Sequence, residues 1–137
     1  MITDGTGLPL AALLTGGNRH DVTQLIPLID AIPPVRGRRG RPRQRPDQVL
    51  ADRAYDHDKY RRLVRAKGIR PVIARRGVAH GSGLGTQRWV VEGCFALLHW
   101  FRRLRIRWDI SDDIHEAFLS LGCSIICWRR LRRHSIC

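Results

Sequence analysis

Apolar residues along the chain fall into short blocks closed by glycine or an acid, and longer runs with helical period. Ile2-Thr3, Asp4-Gly5-Thr6-Gly7 and residues 8–15 predict the end of a strand, a tight turn and a return strand. Gly16-Gly17-Asn18 closes that strand. Residues 21–32 predict a helix with Leu25, Ile26, Leu28, Ile29 and Ile32 on its apolar face. Asp21 and Gln24 fit a capping box, and Pro27 predicts a kink or shift. Residues 48–52, QVLAD, predict a buried strand. A helix from Asp56 or His57 to Lys67 follows, with Tyr60, Leu63 and Val64 inward and Gly68 as its stop. Residues 70–74, RPVIA, predict a second strand, so the order implies a parallel crossover and an α/β layer. After the Gly-rich stretch 75–86, residues 88–104 predict one helix. Val91, Phe95, Leu98 and Phe101 form its core stripe, and Arg88, Glu92, His99 and Arg103 share a polar face. Residues 109–111 break the pattern. A last helix over 112–132 has Ile114, Phe118, Leu121, Ile125 and Trp128 as its stripe. Acids lie at its start and arginines at its end, as the helix dipole favours.

Composition adds a partner to this outline. The chain has 137 residues, 43% of them hydrophobic, enough for one domain with a core. Its net charge is +13, from 25 Lys+Arg against 12 Asp+Glu, and only Lys59 and Lys67 are lysines. The planar guanidinium fork suits phosphate, so nucleic acid is the expected partner, ahead of an anionic membrane surface. Residues 33–47, PPVRGRRGRPRQRPD, cannot build a core and predict a mobile loop. Its Arg36, Arg38, Arg39, Arg41, Arg43 and Arg45 suit a phosphate-tracking arm or a solvated linker. The start has no signal-peptide pattern, and the apolar runs are too short to span a bilayer. Cys94, Cys123 and Cys127 sit in apolar helical patterns, as buried thiols in a reducing cytoplasm would. Cys123 and Cys127, with His115 and His134 beyond, leave zinc open, without the usual close paired spacing.

Two carboxylates bear on chemistry. Asp52 follows a buried strand, where α/β sheets place their sites, and a helix-borne Glu92 could reach such an edge. Converging carboxylates hold Mg²⁺ for phosphoryl transfer, although an acid at a strand end also serves as a turn former or an Arg partner. Asp4 belongs to its turn, Asp21 to a helix cap, and Asp30, Asp56 and Asp58 to the surface.

Residues 50–56, LADRAYD, followed by 88–92, RWVVE, and 101–104, FRRL, resemble the catalytic region of insertion-sequence DDE transposases. The similarity covers 8–131 and includes LPLAALLTGGNRHD and the Arg-rich segment. It implies an α/β, RNase H-like (ribonuclease H-like) fold, a mixed sheet flanked by helices. Residues 1–133 would form the catalytic domain, with a basic flexible loop at 33–47 and a tail at 134–137. The resemblance further implies a two-metal site for Mg²⁺ or Mn²⁺, held by Asp, Asp and Glu, at which water and then a 3′-hydroxyl attack DNA phosphodiesters. Asp52 matches the second Asp, Glu92 the Glu, and Arg88 the signature arginine. Gly85 replaces a tyrosine, His99 partly matches a basic position suited to DNA contact, and Gly93 stands where arginine is common. The family's first Asp lies on a strand before the opening hairpin, so the chain is expected to be the C-terminal part of a transposase and a poor catalyst alone. The expected partners are insertion-sequence ends and an N-terminal transposase fragment or second copy, in the bacterial cytoplasm at the nucleoid. The rival expectation is a non-catalytic basic DNA-binding module or transposition inhibitor.

Overall fold

The computed structural model describes residues 1–37, 39–77 and 85–134, with backbone alone for 85–88 and 134. Two compact units emerge, one of Met1–Leu14 with Trp89–Cys137, the other of Thr15–Arg88.

In the first unit Asp4 turns the chain. Its Oδ1 accepts hydrogen bonds from Thr6 N (2.8 Å), Thr6 Oγ1 (2.9 Å) and Leu8 N (2.9 Å). Gly7 adopts φ +88°, and a Cβ there would stand 3.3 Å from the Val90 carbonyl oxygen. The turn joins β1 (Ile2–Thr3) to β2 (Pro9–Ala11), which pair antiparallel. The return strand is shorter than the expected 8–15, because among the described residues its pairing ends with Ile2 opposite Ala11.

The expected helix over 88–104 is two. Helix α3 spans Gly85–His99 and α4 spans Arg102–Arg105, with Phe101 extended between them at φ −82°, ψ 111°. The last turn tightens, with Trp100 N–H donating to Leu97 O and Phe101 N–H to Leu98 O. The cause lies in helix α5 (Asp112–His134). Gly122 has no side chain, and Leu98, Phe101 and Leu104 all close on it. A Cβ there would lie 2.9 Å from Leu104 Cδ1 and 3.2 Å from Leu98 Cδ2. Cys94 and Leu98 are the buried residues of α3, while Phe95 is exposed. On α5 the expected stripe is also displaced. Ile126 and Gly122 are buried, whereas Ile114, Leu121 and Trp128 face solvent. The helix is apolar on two sides, and the Gly122 seat selects the other one.

Cys94, Cys123 and Cys127 are free thiols. Burial pushes Cys94 up to about 11, and burial followed by the neighbouring Cys127 raises Cys123. Cys127 is raised as well, chiefly by burial. Such thiols are poor ligands and poor nucleophiles.

In the second unit, Asp21–Gln24 forms a 3-10 turn leading into α1 (Leu25–Asp30). The expected capping box does not form: the cap is His20, without a side-chain bond, and Thr23 Oγ1 donates to His20 O at 2.8 Å. Pro27 falls in the first turn of α1, where a missing N–H costs nothing, so it shifts the α-helical start. Val22, Leu25, Leu28, Ile29 and Ile32 are buried.

Strand β3 (Gln48–Ala51) pairs parallel with β4 (Arg70–Ile73), from Gln48 opposite Arg70 to Ala51 opposite Ile73. Helix α2 (Asp58–Ala66) makes the crossover, as expected. Val64 is 0% exposed and packs in a core with Val49, Ile69 and Ile73. Leu63, expected inward, is exposed; the inward position beside Val64 is taken by Arg61. Gly68 ends the helix at φ +74°.

Within 33–47 the described residues include one isolated bridge. Val35 and Arg43 exchange backbone hydrogen bonds of 2.7 and 2.8 Å, and Gly40 turns the chain at φ +93°. Arg43 also pairs with Asp47 at 2.6 Å. The arginines therefore ride on a closed loop. Arg36, Arg39, Arg41, Arg43 and Arg45 are exposed, and Arg38 lies outside the described residues. The strands thus form two pairs, one antiparallel and one parallel, in an α/β arrangement. Among the described residues no helix is long and apolar enough to cross a membrane.

Candidate carboxylate site

Parallel strands carry the chain to the end of β3, and the next residue is Asp52. Its backbone stays extended at φ −68°, ψ 160°, and it caps the 3-10 turn Arg53–Tyr55. Asp52 Oδ1 accepts the Arg53 N–H at 2.5 Å, and its carbonyl accepts the Tyr55 N–H at 2.9 Å. The side chain is therefore fixed by its own turn and exposed to solvent. A carboxylate has roughly four lone-pair directions, and the cap bond occupies one of them. Tyr55, one 3-10 turn on, has its phenol raised by burial first and then by Asp21 and Asp52.

Four residues further, Asp56 does something different. It was expected at the surface, yet its side chain is 6% exposed. Its Oδ1 accepts from Arg61 Nε at 2.7 Å and its Oδ2 from the Arg76 backbone N–H at 2.7 Å. The Arg76 bond is the largest cause holding its carboxyl below the ordinary range, helped by the Arg61 bond and the Arg61 and Arg75 charges against the opposing effect of burial. Arg61 in turn donates to Ile73 O at 2.7 Å, tying α2 to the end of β4. Arg76 reaches back over the turn after Asp52, donating to Arg53 O (3.4 Å) and Ala54 O (3.0 Å). The end of the crossover is thus braced by one buried acid and two arginines. Sequence inspection missed this because arginine and aspartate read as surface groups. The available signal was Arg61 three residues before Val64, on the apolar stripe of α2.

Glu92 lies on α3 and is exposed. The Arg88 side chain, one turn before it, lies outside the described residues. His99 is the exposed last residue of α3. Arg103 is displaced onto α4 and pairs with Asp109 at 3.1 Å, so it does not continue the polar face of α3.

Asp52 and Glu92 belong to different units. Both offer hard oxygen donors suited to Mg²⁺ or Mn²⁺. Among the described residues no group of three His, Cys, Asp or Glu is placed to hold a metal ion. Asp4 Oδ1 is committed to three donors of its own turn.

The chain matches the family described as Transposase DDE domain over residues 1–127. It is also similar to a candidate transposase for insertion sequence element IS402 from Burkholderia cepacia. The two are 63% identical over 133 residues, which cover 97% of this chain and 63% of that protein. The chain therefore spans less than two thirds of the length of this curated relative. No solved structure matches it.

Proposed function

Because the chain belongs to the transposase DDE domain family, we propose that it is the Asp52- and Glu92-bearing part of an insertion-sequence transposase acting on DNA. The observation that carries this is Asp52, exposed and held by its own turn at the end of a parallel strand, within LADRAYD. The β3–α2–β4 crossover and the β1–β2 hairpin are pieces that an RNase H-like sheet would use, and residues 1–133 are assigned to that catalytic domain. Asp52 and Glu92 are assigned as metal-ligand carboxylates by motif position. Their divalent ions, when bound, would activate an attacking water or 3′-hydroxyl and stabilise the leaving oxygen.

The chain's own residues then have separable tasks. Arg53 N–H orients Asp52, and Arg76 holds the carbonyls of the turn that carries it. Arg88, His99 and the 36–45 arginines contact DNA phosphates, the latter from a loop closed by the Val35–Arg43 bridge. Asp52 and Glu92 are two of the three site carboxylates of the family. Its assigned partners are insertion-sequence ends and an N-terminal transposase fragment or second copy.

Metal-dependent nicking of DNA carrying insertion-sequence ends tests the assignment. Asp52→Asn and Glu92→Gln should each abolish cleavage while leaving DNA binding in EDTA unchanged. The rival, a basic binding module or transposition inhibitor, is favoured by the exposed arginine loop and by the lack of a three-ligand cluster among the described residues. It predicts salt-sensitive DNA binding with no cleavage under any metal condition.

A further inference from the structure

The arginine loop is not the only basic surface. Between Trp100 and Ile110 the sequence WFRRLRIRWDI holds four arginines and one aspartate. Phe101 and Leu104 pack on Gly122, but other large apolar residues of the strip are turned outward: Trp100 is 85% exposed, Trp108 68% and Ile110 100%. A tryptophan offers 150–250 Å² for burial, so leaving two in water is a cost that some ligand should relieve.

The four arginines divide into two roles. Arg103 and Arg107 act as braces. Arg103 donates to Asp109 Oδ1 at 3.1 Å, and its guanidinium lies 5.1 Å from the Phe118 ring centroid. Arg107 donates to the Asp109 carbonyl at 3.2 Å and pairs with Asp112 at the start of α5. Asp109 is itself mostly buried, with its side chain 10% exposed. The segment bearing Trp108 is therefore pinned to α5, which lowers the ordering cost of binding. Arg102 and Arg105 are exposed at the two ends of α4, three residues apart and hence neighbours on its surface.

Chemistry narrows the ligand. A protein partner would want an interface core depleted of charge, and this strip has an arginine at nearly every second position. A duplex offers phosphates but keeps its base faces stacked inside. Unpaired DNA offers both a phosphate track and free base faces, which aromatic side chains interleaved with cations bind without sequence preference. Resting on the transposase assignment above, we propose that the 100–108 strip binds single-stranded DNA, with Trp100 and Trp108 stacking on unpaired bases and Arg102 and Arg105 contacting the phosphates between them.

Fluorescence anisotropy of the full chain with a labelled oligothymidine and with a labelled blunt duplex, both in EDTA, tests this. Trp108→Ala should weaken oligothymidine binding about tenfold and change duplex binding less than about twofold. Trp100→Ala should act in the same direction, and Trp108→Phe should restore most of the loss. Arg102→Gln with Arg105→Gln should lower the salt slope on the single strand. Both tryptophans are exposed, so the variants should keep the wild-type circular dichroism and unfolding transition. Unchanged single-strand affinity in both tryptophan variants overturns the proposal, as does equal loss on duplex and single strand. Because no metal is present, failure here leaves the Asp52 and Glu92 assignment standing. Success with no cleavage under any metal condition would retain the strip and remove the catalytic assignment.

Discussion

The β3–α2–β4 crossover and the α3–α5 helices treat most of their large apolar residues in opposite ways. In the crossover Val49, Val64, Ile69 and Ile73 are buried, and even its buried charge is matched, Arg61 against Asp56. In the helices Trp89, Phe95, Trp100, Leu121 and Trp128 all stand in water around a small seat of Cys94, Leu98, Gly122 and Ile126. The crossover has a buried core, and Asp52 sits at its end. The helices leave much of their apolar surface exposed, and Glu92 sits among them. One assigned carboxylate is thus held rigidly, while the other rides on an element with little buried area of its own.

The contrast can be broken most forcefully at Arg61. Arg61→Ala strips Asp56 of its closest charged partner, leaving the Arg76 N–H and the more distant Arg75, removes the donor to Ile73 O, and should cost about 3–5 kcal/mol, read from urea unfolding of the whole chain. Ile69→Ala, next to Val64 in the same core, should cost about 2–5 kcal/mol in the same assay. A smaller effect follows from pH. The Asp56 carboxyl is lowered in the folded chain, so its contribution is fully present above the ordinary aspartate value of about 3.9 and is lost as pH falls through the lowered one. The stability of the wild-type chain should therefore decline with acid below about pH 4, and Asp56→Asn should remove that component of the slope. Smallest of all, Leu121→Ser on the exposed side of α5 should change stability by no more than about 0.5 kcal/mol. A loss of core size there would mean that the helices are packed as firmly as the crossover.

The crossover was the most legible part of the chain. QVLAD and RPVIA are compact apolar blocks flanking a capped helical run, and only one parallel arrangement joins them. The Asp4 turn was equally plain, since Asp-Gly followed by Thr-Gly dictates the local hydrogen bonds. The helices were harder for a physical reason. Residues 112–132 are apolar on two sides, and periodicity cannot say which one packs. That choice was made by Gly122, where an absent side chain admits Leu98 and Leu104. The same seat broke the expected 88–104 helix and carried Arg103 off the face of Glu92. At the carboxylates, the motif pointed to Asp52 and Glu92, whereas the buried role of Asp56 depended on Arg61 and Arg76, five and twenty residues away. The Arg76 partner, twenty residues on, leaves no local trace, whereas Arg61 on the apolar stripe of α2 does.

The central claim is that Asp52 and Glu92 are the reacting carboxylates of a transposase. Its most direct test is strand cleavage of DNA bearing insertion-sequence ends, in Mn²⁺, by the chain mixed with the portion of the IS402 relative that the chain does not span. The mixture should cleave, and cleavage should be lost when either Asp52→Asn or Glu92→Gln is present. Failure of the mixture to cleave, or cleavage that persists in either variant, would contradict the assignment.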